Sequence, residues 1–377
     1  MTTGGAQRLQ APAVPIPLTV LTGFLGAGKT TLLNRLLPDP ALSNTAVIIN
    51  EFGEIGLDHL LVKTIDDNMV LLQSGCLCCT LRGDLVTALE GLLRDLDNGR
   101  INFGRVILET TGLADPAPVL QTAMAHPYLV MRYRIDGVIA VVDAVNGAAT
   151  LDQHMESLKQ VAVADRIVLT KTDLLGTPER QSAKAALLAR LHALNPAAPV
   201  LEAAETTPAR LLDCGLYDPD RKIPDVRRWL AEEAYAAAHH NGHAHEHDPN
   251  RHDERIRAFT LAADEPIPIA AFEMFIDLVR SLHGPKLLRL KGIVKLAEEP
   301  GQPLVIHGVQ HVMHPPVRLE RWPDADERTR IVLITRDLAP QAVTGLFDAF
   351  RGRRVADAPD LAALVDNPLV PFGGIDR

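Results

Sequence analysis

Cys76, Cys78 and Cys79 place three thiols within four residues of the run Gly75-Cys76-Leu77-Cys78-Cys79, a density that packing alone does not call for. A thiolate is a soft donor favoured by Zn²⁺ and Cu⁺, and three can fill most of a tetrahedral shell while one position stays open to exchange. Such a site suits a carrier better than a permanent structural ion. Small buried cysteines and a redox pair are the competing readings. A second metal candidate is the run of His239, His240, His243, His245, His247 and His252, with Glu246, Asp248 and Asp253 interspersed. Imidazoles spaced i and i+2 can capture Zn²⁺, Ni²⁺ or Co²⁺, but without fixed geometry they select weakly. An idle polar linker is the alternative there, and His307, His311 and His314 read as surface or packing residues.

A different chemistry is written in Gly23-Phe24-Leu25-Gly26-Ala27-Gly28-Lys29-Thr30-Thr31, which matches the phosphate-loop pattern between an apolar strand and a helix. Gly23, Gly26, Ala27 and Gly28 let successive N–H groups curl toward the β- and γ-phosphates, and the following helix adds its positive end. Lys29 would bridge the β/γ oxygens, Thr30 would ligate Mg²⁺, and Thr31 completes the set. Glu109-Thr110-Thr111-Gly112 ends a second strand: Glu109 is expected to hold Mg²⁺ directly or through water, and Gly112 to sense the γ-phosphate. Lys29 and Glu109 are therefore the expected catalytic residues. Thr170-Lys171-Thr172-Asp173 is a variant of the N-K-x-D signature. Asp173 can accept from both N1–H and the 2-amino group of guanine, a donor pair that adenine lacks, which points to GTP and GDP. Thr170 stands where Asn is usual, so selectivity over ATP is left open. Glu51 and Glu54, in Asn50-Glu51-Phe52-Gly53-Glu54, could complete a metal site or sit near Mg²⁺; solvated carboxylates are an equal alternative.

These groups need a scaffold that brings strand ends together. Short β-branched runs alternate with helical patterns, which implies an α/β fold: a doubly wound, mostly parallel sheet with helices on both faces. The expected strands are 18–22, 46–50, 69–73, 105–109, 137–142, 166–170 and 200–202, with helices at 29–37, 81–97, 116–125, 151–161 and 178–194. A helical connector at 226–238 and the histidine loop follow. From Arg255 the pattern becomes a smaller α+β domain, with strand-like runs at 256–261, 286–296, 303–309, 312–319 and 330–334 and helices at 268–282 and 339–351. The resulting division is a leader (1–15), a phosphate-loop domain (16–206), a connector (207–254), a second domain (255–351) and an irregular tail (352–377).

At 377 residues the chain has room for two cores. A formal charge of -9 argues against nucleic acid as a partner. No apolar run approaches the roughly 20 residues that span a bilayer. Four cysteines, three of them clustered, suit a reducing compartment, so the expected location is the cytoplasm, with no membrane partner.

Taken in order, Gly23 to Thr31, Asn50 to Glu54, Gly75 to Cys79, Glu109 to Pro116 and Thr170 to Asp173 resemble the CobW-type GTP-dependent metallochaperones. The resemblance extends from about Ile16 to Phe350 and includes Lys286-Leu287-Leu288-Arg289-Leu290-Lys291-Gly292, which looks like the family's C-terminal domain. The form Glu109-Thr110-Thr111-Gly112-Leu113-Ala114-Asp115-Pro116 is closer to the branch of zinc-regulated metalloprotein activators than to the cobalt branch. The resemblance implies that Cys76, Cys78 and Cys79 form the internal site, that GTP tightens it, and that the C-terminal domain docks client metalloproteins. Zn²⁺ is the expected cargo, with Co²⁺ or Ni²⁺ as alternatives. A metal buffer with incidental NTPase activity is the rival from the binding class. A small-molecule kinase is the third reading, but no arginine-rich lid supports it. Client identity and oligomeric state are not legible.

Overall fold

The computed structural model describes residues 15–50, 61–66, 69–74, 81–212, 214 and 255–351. The connector at 226–238, the histidine run, the tail, Glu51, Glu54 and Gly75 to Cys79 lie outside the described residues.

Among those residues the first domain is one eight-stranded sheet. Its strands are β1 Ile16–Gly23, β2 Thr45–Asn50, β3 Leu61–Asp66, β4 Met69–Ser74, β5 Arg105–Glu109, β6 Tyr133–Asp143, β7 Arg166–Thr170 and β8 Val200–Glu202. They lie in the order β3-β4-β2-β5-β1-β6-β7-β8. Every neighbouring pair is parallel except β3 with β4. Parallel strands need crossovers, supplied by α1 Lys29–Leu36, α2 Leu81–Asp97, α3 Ala117–Ala125, α4 Pro127–Arg132, α5 Gly147–Gln153, α6 Met155–Val163 and α7 Pro178–Leu194.

The strand period of two splits the apolar residues between both faces. Val20, Ile48, Val106 and Leu108 pack with Leu89 and Leu93 of α2 and Leu120 of α3. Leu21, Val47, Ile107 and Val168 point the other way, onto Leu33 and Leu36 of α1. A further short helix, α8 Pro208–Leu211, adds Leu211 to that second face, so packed structure continues past Thr206.

The second domain is an antiparallel sheet built from β9 Ile256–Ala263, β10 Leu287–Val294, β11 Leu304–Val309, β12 Val312–Met313, β13 Val317–Arg318 and β14 Thr329–Arg336. Two helices, α9 Ile269–His283 and α10 Pro340–Phe350, cover one face through Phe272, Phe275, Val343 and Phe347.

Three local expectations change. The helix expected at 151–161 is two helices, α5 and α6, broken at His154, whose backbone is extended (φ −131°, ψ 111°). The ring of His154 stacks on Phe24, with centroids 4.3 Å apart, so a distant contact overrides helix propensity. The run at 312–319 is two short strands, because Pro315 and Pro316 supply no N–H to a ladder. Finally, β3 is an unexpected edge strand, antiparallel to β4.

The two sheets meet through a charged joint. Asp165, the residue before β7, accepts hydrogen bonds from Arg289 and, at 2.6 Å, from Lys291, both on β10, while its other oxygen accepts from Val138 N at 2.9 Å. Arg289 also donates to the carbonyl of Val163, the last residue of α6. Gln121 on α3 donates to Gln310 at 2.8 Å. Nearby, the rings of His307 and His314 stack with centroids 4.2 Å apart and an interplanar angle of 6°. Their Nε2 atoms are shielded and have no hydrogen-bond partner among the described residues.

Burial, reinforced by Arg289 and Lys291 and opposed by Asp165, holds His314 down at about 4; burial, then His314, Arg289 and Lys291, holds His307 well below the ordinary 6.5. The unfolded chain therefore binds more protons than the folded one below pH 6.5. Stability is fully present above that value and falls as pH drops toward 4, with a slope approaching about 1.4 kcal/mol per pH unit for each ring. Urea unfolding at pH 7.5 and 5.0 checks this. The double replacement His307→Phe/His314→Phe should flatten the dependence, and an unchanged slope would assign it to other groups.

Candidate functional site

β1 lies between β5 and β6, where the order of the sheet reverses, and ligands of open α/β sheets bind beyond the strand ends at that point. Gly23 closes β1 there with φ 147°; a Cβ at this position would stand 2.4 Å from Val141 O, so no larger residue fits. The loop from Gly23 then leads into α1, which starts at Lys29. Lys29 is 8% exposed, and its Nζ donates to the carbonyls of Gly23 at 2.9 Å and Phe24 at 3.2 Å. The ammonium is thus curled into the loop that a phosphate would enter.

Thr30 Oγ1 donates to Glu109 Oε1 at 2.7 Å, joining the start of α1 to the end of β5. These are hard oxygen donors on the wall of one cleft of about 610 Å³, also lined by Gly26, Gly28, Thr31 and Gly112. That volume lies in the range of small-molecule sites, roughly 300–1,000 Å³. Gly112 touches the phosphate loop closely: a Cβ there would stand 2.6 Å from Leu25 N. The chain therefore brings Gly26, Gly28, Lys29, Thr30, Thr31, Glu109 and Gly112 to one cleft, while Gly23 and Ala27 shape its loop.

The end of β7 reaches the same place. Thr170 Oγ1 lies 2.6 Å from Ala27 O and 3.2 Å from Val142 O, so this hydroxyl ties the strand to the phosphate loop. The side chain is thus committed to protein carbonyls. Lys171, held at φ 57°, lines the cleft and donates to Asp143 Oδ2 at 2.7 Å. Asp173 follows in an exposed turn over Thr172–Leu174.

Sequence reasoning missed the supports of these residues. Asp143, at the end of β6, receives Lys171, the N–H groups of Val145 and Asn146, and the Asn146 amide. Burial alone would raise its carboxyl, but those hydrogen bonds outweigh it and hold the group below its ordinary range. Glu202, beside Leu169 in the β7–β8 register, takes Lys184 Nζ at 2.5 Å. An acidic residue ending a strand was the available signal in both cases.

Two of the three candidate metal-ligating segments, Glu51 to Glu54 and Gly75 to Cys79, continue the chain from this edge. Asn50 and Ser74 are register partners at the ends of β2 and β4, and Ile49 pairs with Glu109 on β5. Glu51 and Gly75 are the next residues in the chain. Among the described residues no group of three or more His, Cys, Asp or Glu could hold a metal ion.

A loop of this kind at the switch point of a doubly wound sheet makes the chain a P-loop nucleotide-binding protein. Within that class it belongs to the CobW family: residues 17–202 match the CobW/HypB/UreG nucleotide-binding domain, and residues 256–351 match the CobW C-terminal domain. It is 35% identical over 338 residues to the zinc chaperone YjiA of Escherichia coli, covering 89% of this chain and 99% of that one. It is 37% identical over 170 residues to the zinc-regulated GTPase metalloprotein activator 1 of Schizosaccharomyces pombe, covering 43% of this chain and 40% of that protein. The crystal structure of Zn(II)-bound YjiA GTPase superposes with a TM-score of 0.66 at 30% identity, covering 90% of this chain and all of that one. Among the described residues no helix is long and apolar enough to cross a membrane.

Proposed function

We propose that this chain is a GTP-hydrolysing metallochaperone that binds zinc and delivers it to client metalloproteins in the cytoplasm. The observation that carries the reading is the strand register that sets Asn50 on the strand next to that of Glu109 and Ser74 one strand further out, so the chain enters both Glu51 and the cysteine run from the nucleotide edge. Homology to a zinc chaperone over nearly the whole chain supports the cargo. Thr30 and Glu109 fit Mg²⁺, which prefers hard oxygen donors and, when bound, neutralises charge between the β- and γ-phosphates. Lys29 and the loop N–H groups bind and orient the triphosphate, and Asp173 reads guanine. Cys76, Cys78 and Cys79, with Glu51 or Glu54, hold the cargo, and Co²⁺ or Ni²⁺ are alternative occupants. The histidine run at 239–252 supplies weak auxiliary ligands.

The test is nucleotide-dependent metal affinity. Zn²⁺ titrations with a non-hydrolysable GTP analogue should give affinity about 5- to 150-fold tighter than with GDP, a coupling of roughly 1 to 3 kcal/mol. Reciprocity requires Zn²⁺ to tighten the analogue by the same factor. The double change Cys78→Ser/Cys79→Ser removes tight binding and the coupling but spares GDP binding, since neither residue belongs to a phosphate or base contact. Equal Zn²⁺ affinity with analogue, GDP and no nucleotide would leave a buffer in place of a switch.

A further inference from the structure

α6 carries two adjacent polar residues that both grip the turn after β5. Gln160 is 1% exposed, and its amide nitrogen donates to Gly112 O at 3.2 Å and to Ala114 O at 3.0 Å. Lys159 donates to Asp115 Oδ2 at 2.9 Å, while Asp115 Oδ1 accepts from Ala117 N, the first N–H of α3, at 3.0 Å. The turn from Gly112 to Asp115 is thereby held at three points from one helix. Its first residue is the glycine pressed against Leu25 of the phosphate loop on the wall of the cleft.

The burial of Gln160 is costly by itself. Its Oε1 is shielded and has no hydrogen-bond partner among the described residues. What the amide supplies here is donation to two carbonyls of the phosphate-facing turn. The C-terminal end of the helix is fixed as well, because Val163 O accepts from Arg289 of the second domain. Gln160 lies three residues before that anchor.

We propose that Gln160 is a positioning residue for GTP hydrolysis: by fixing the carbonyls of Gly112 and Ala114 it holds the backbone of Gly112 in register with the phosphate loop, where the γ-phosphate binds. This inference rests on the GTPase reading above. Gln160 touches no reacting atom; it sets a turn on the wall of the phosphate cleft.

Steady-state GTP hydrolysis and equilibrium binding of GDP and of a non-hydrolysable GTP analogue test it in the full-length protein. Gln160→Glu keeps the shape but replaces the donor with acceptors, and Gln160→Leu removes both. Each should lower kcat by about 10- to 100-fold, the scale of a small misplacement at a reacting centre. GDP affinity should stay within about twofold while preference for the analogue over GDP falls, because only the γ-phosphate meets this turn. Lys159→Ala, at a less buried position of the same helix, should shift kcat and the analogue preference the same way by a smaller factor. That variant decides the matter if the buried changes do not fold. Wild-type kcat in folded Gln160→Glu, or equal losses for GDP and analogue, overturns the positioning role. A wild-type protein without GTP turnover removes the GTPase reading and this inference with it.

Discussion

Lys29→Ala lowers GTP turnover by at least about 10²- to 10³-fold, the loss that follows removal of one preorganised group facing developing charge. The ammonium is the one cation that the phosphate loop itself carries, and it is 8% exposed with its Nζ on Gly23 O and Phe24 O. Those carbonyls hold it inside the loop, and an entering β/γ-phosphate is a stronger partner for the same charge. Alanine leaves the N–H groups of the loop but no point charge for the transferring phosphoryl group, so nucleotide affinity falls as well. The fold survives, because Leu32, Leu33 and Leu36 bury the inner face of α1 independently of Lys29. Phosphate release assays with circular dichroism on the same samples check the result. Turnover at the wild-type rate in a folded Lys29→Ala protein would remove the assignment of the loop.

The second large effect is on stability. Asp165→Ala costs about 3–5 kcal/mol, the penalty for leaving buried charges uncompensated. Asp165 is 8% exposed and meets Arg289 and Lys291, themselves 3% and 8% exposed, so its loss takes away the carboxylate that faces two buried cations. Burial would raise its carboxyl, but Arg289 and Lys291, with the Val138 N–H, hold it well below the usual carboxylate range. The anion is therefore the form on which the joint depends. Thermal unfolding should begin at least about 6 °C lower in the variant. The triple change Asp165→Leu/Arg289→Met/Lys291→Met should recover much of the loss, since an apolar joint carries no stranded charge. A shift under about 1 kcal/mol for the single change, as for a surface pair, would mean that water already solvates the cluster.

Much of this architecture was legible from residue type. Three strands, Arg105–Glu109, Arg166–Thr170 and Val200–Glu202, and two helices, Leu81–Asp97 and Pro178–Leu194, have the bounds that their apolar periodicity implies. What was not legible depends on distant partners. Nothing local in the stretch from Gly147 to Val163 marks His154 as a helix break; Phe24 of the phosphate loop does. Edge strand β3 has one neighbour, so it lacks the continuous apolar run that marks central strands. In the site, glycines and charges announced the phosphate cleft because their types are unusual there. Gln160 and Asp143 are ordinary residues in an amphipathic helix and at a strand end, and only the turn and the lysine they meet give them a role. Thr170 illustrates a substitution whose meaning changes with geometry: it reads as a weakened guanine signature and acts as a tether to Ala27.

The apolar clusters ignore the division into two domains. Val309 of β11 belongs to the cluster built on β1, β5, α2 and α3, and Ile256, Leu288 and Ile334 belong to the one around α6, β7 and α7. Each half carries part of the other's interior. A chain severed in the histidine-rich stretch would thus release two unfinished pieces, each with an oily wound where its counterpart had been. The unit that a cell must synthesise, fold and inherit is the whole pair. Trading the C-terminal half for a relative's would succeed only if these buried residues came with partners of matching shape, so the two halves are bound to change together.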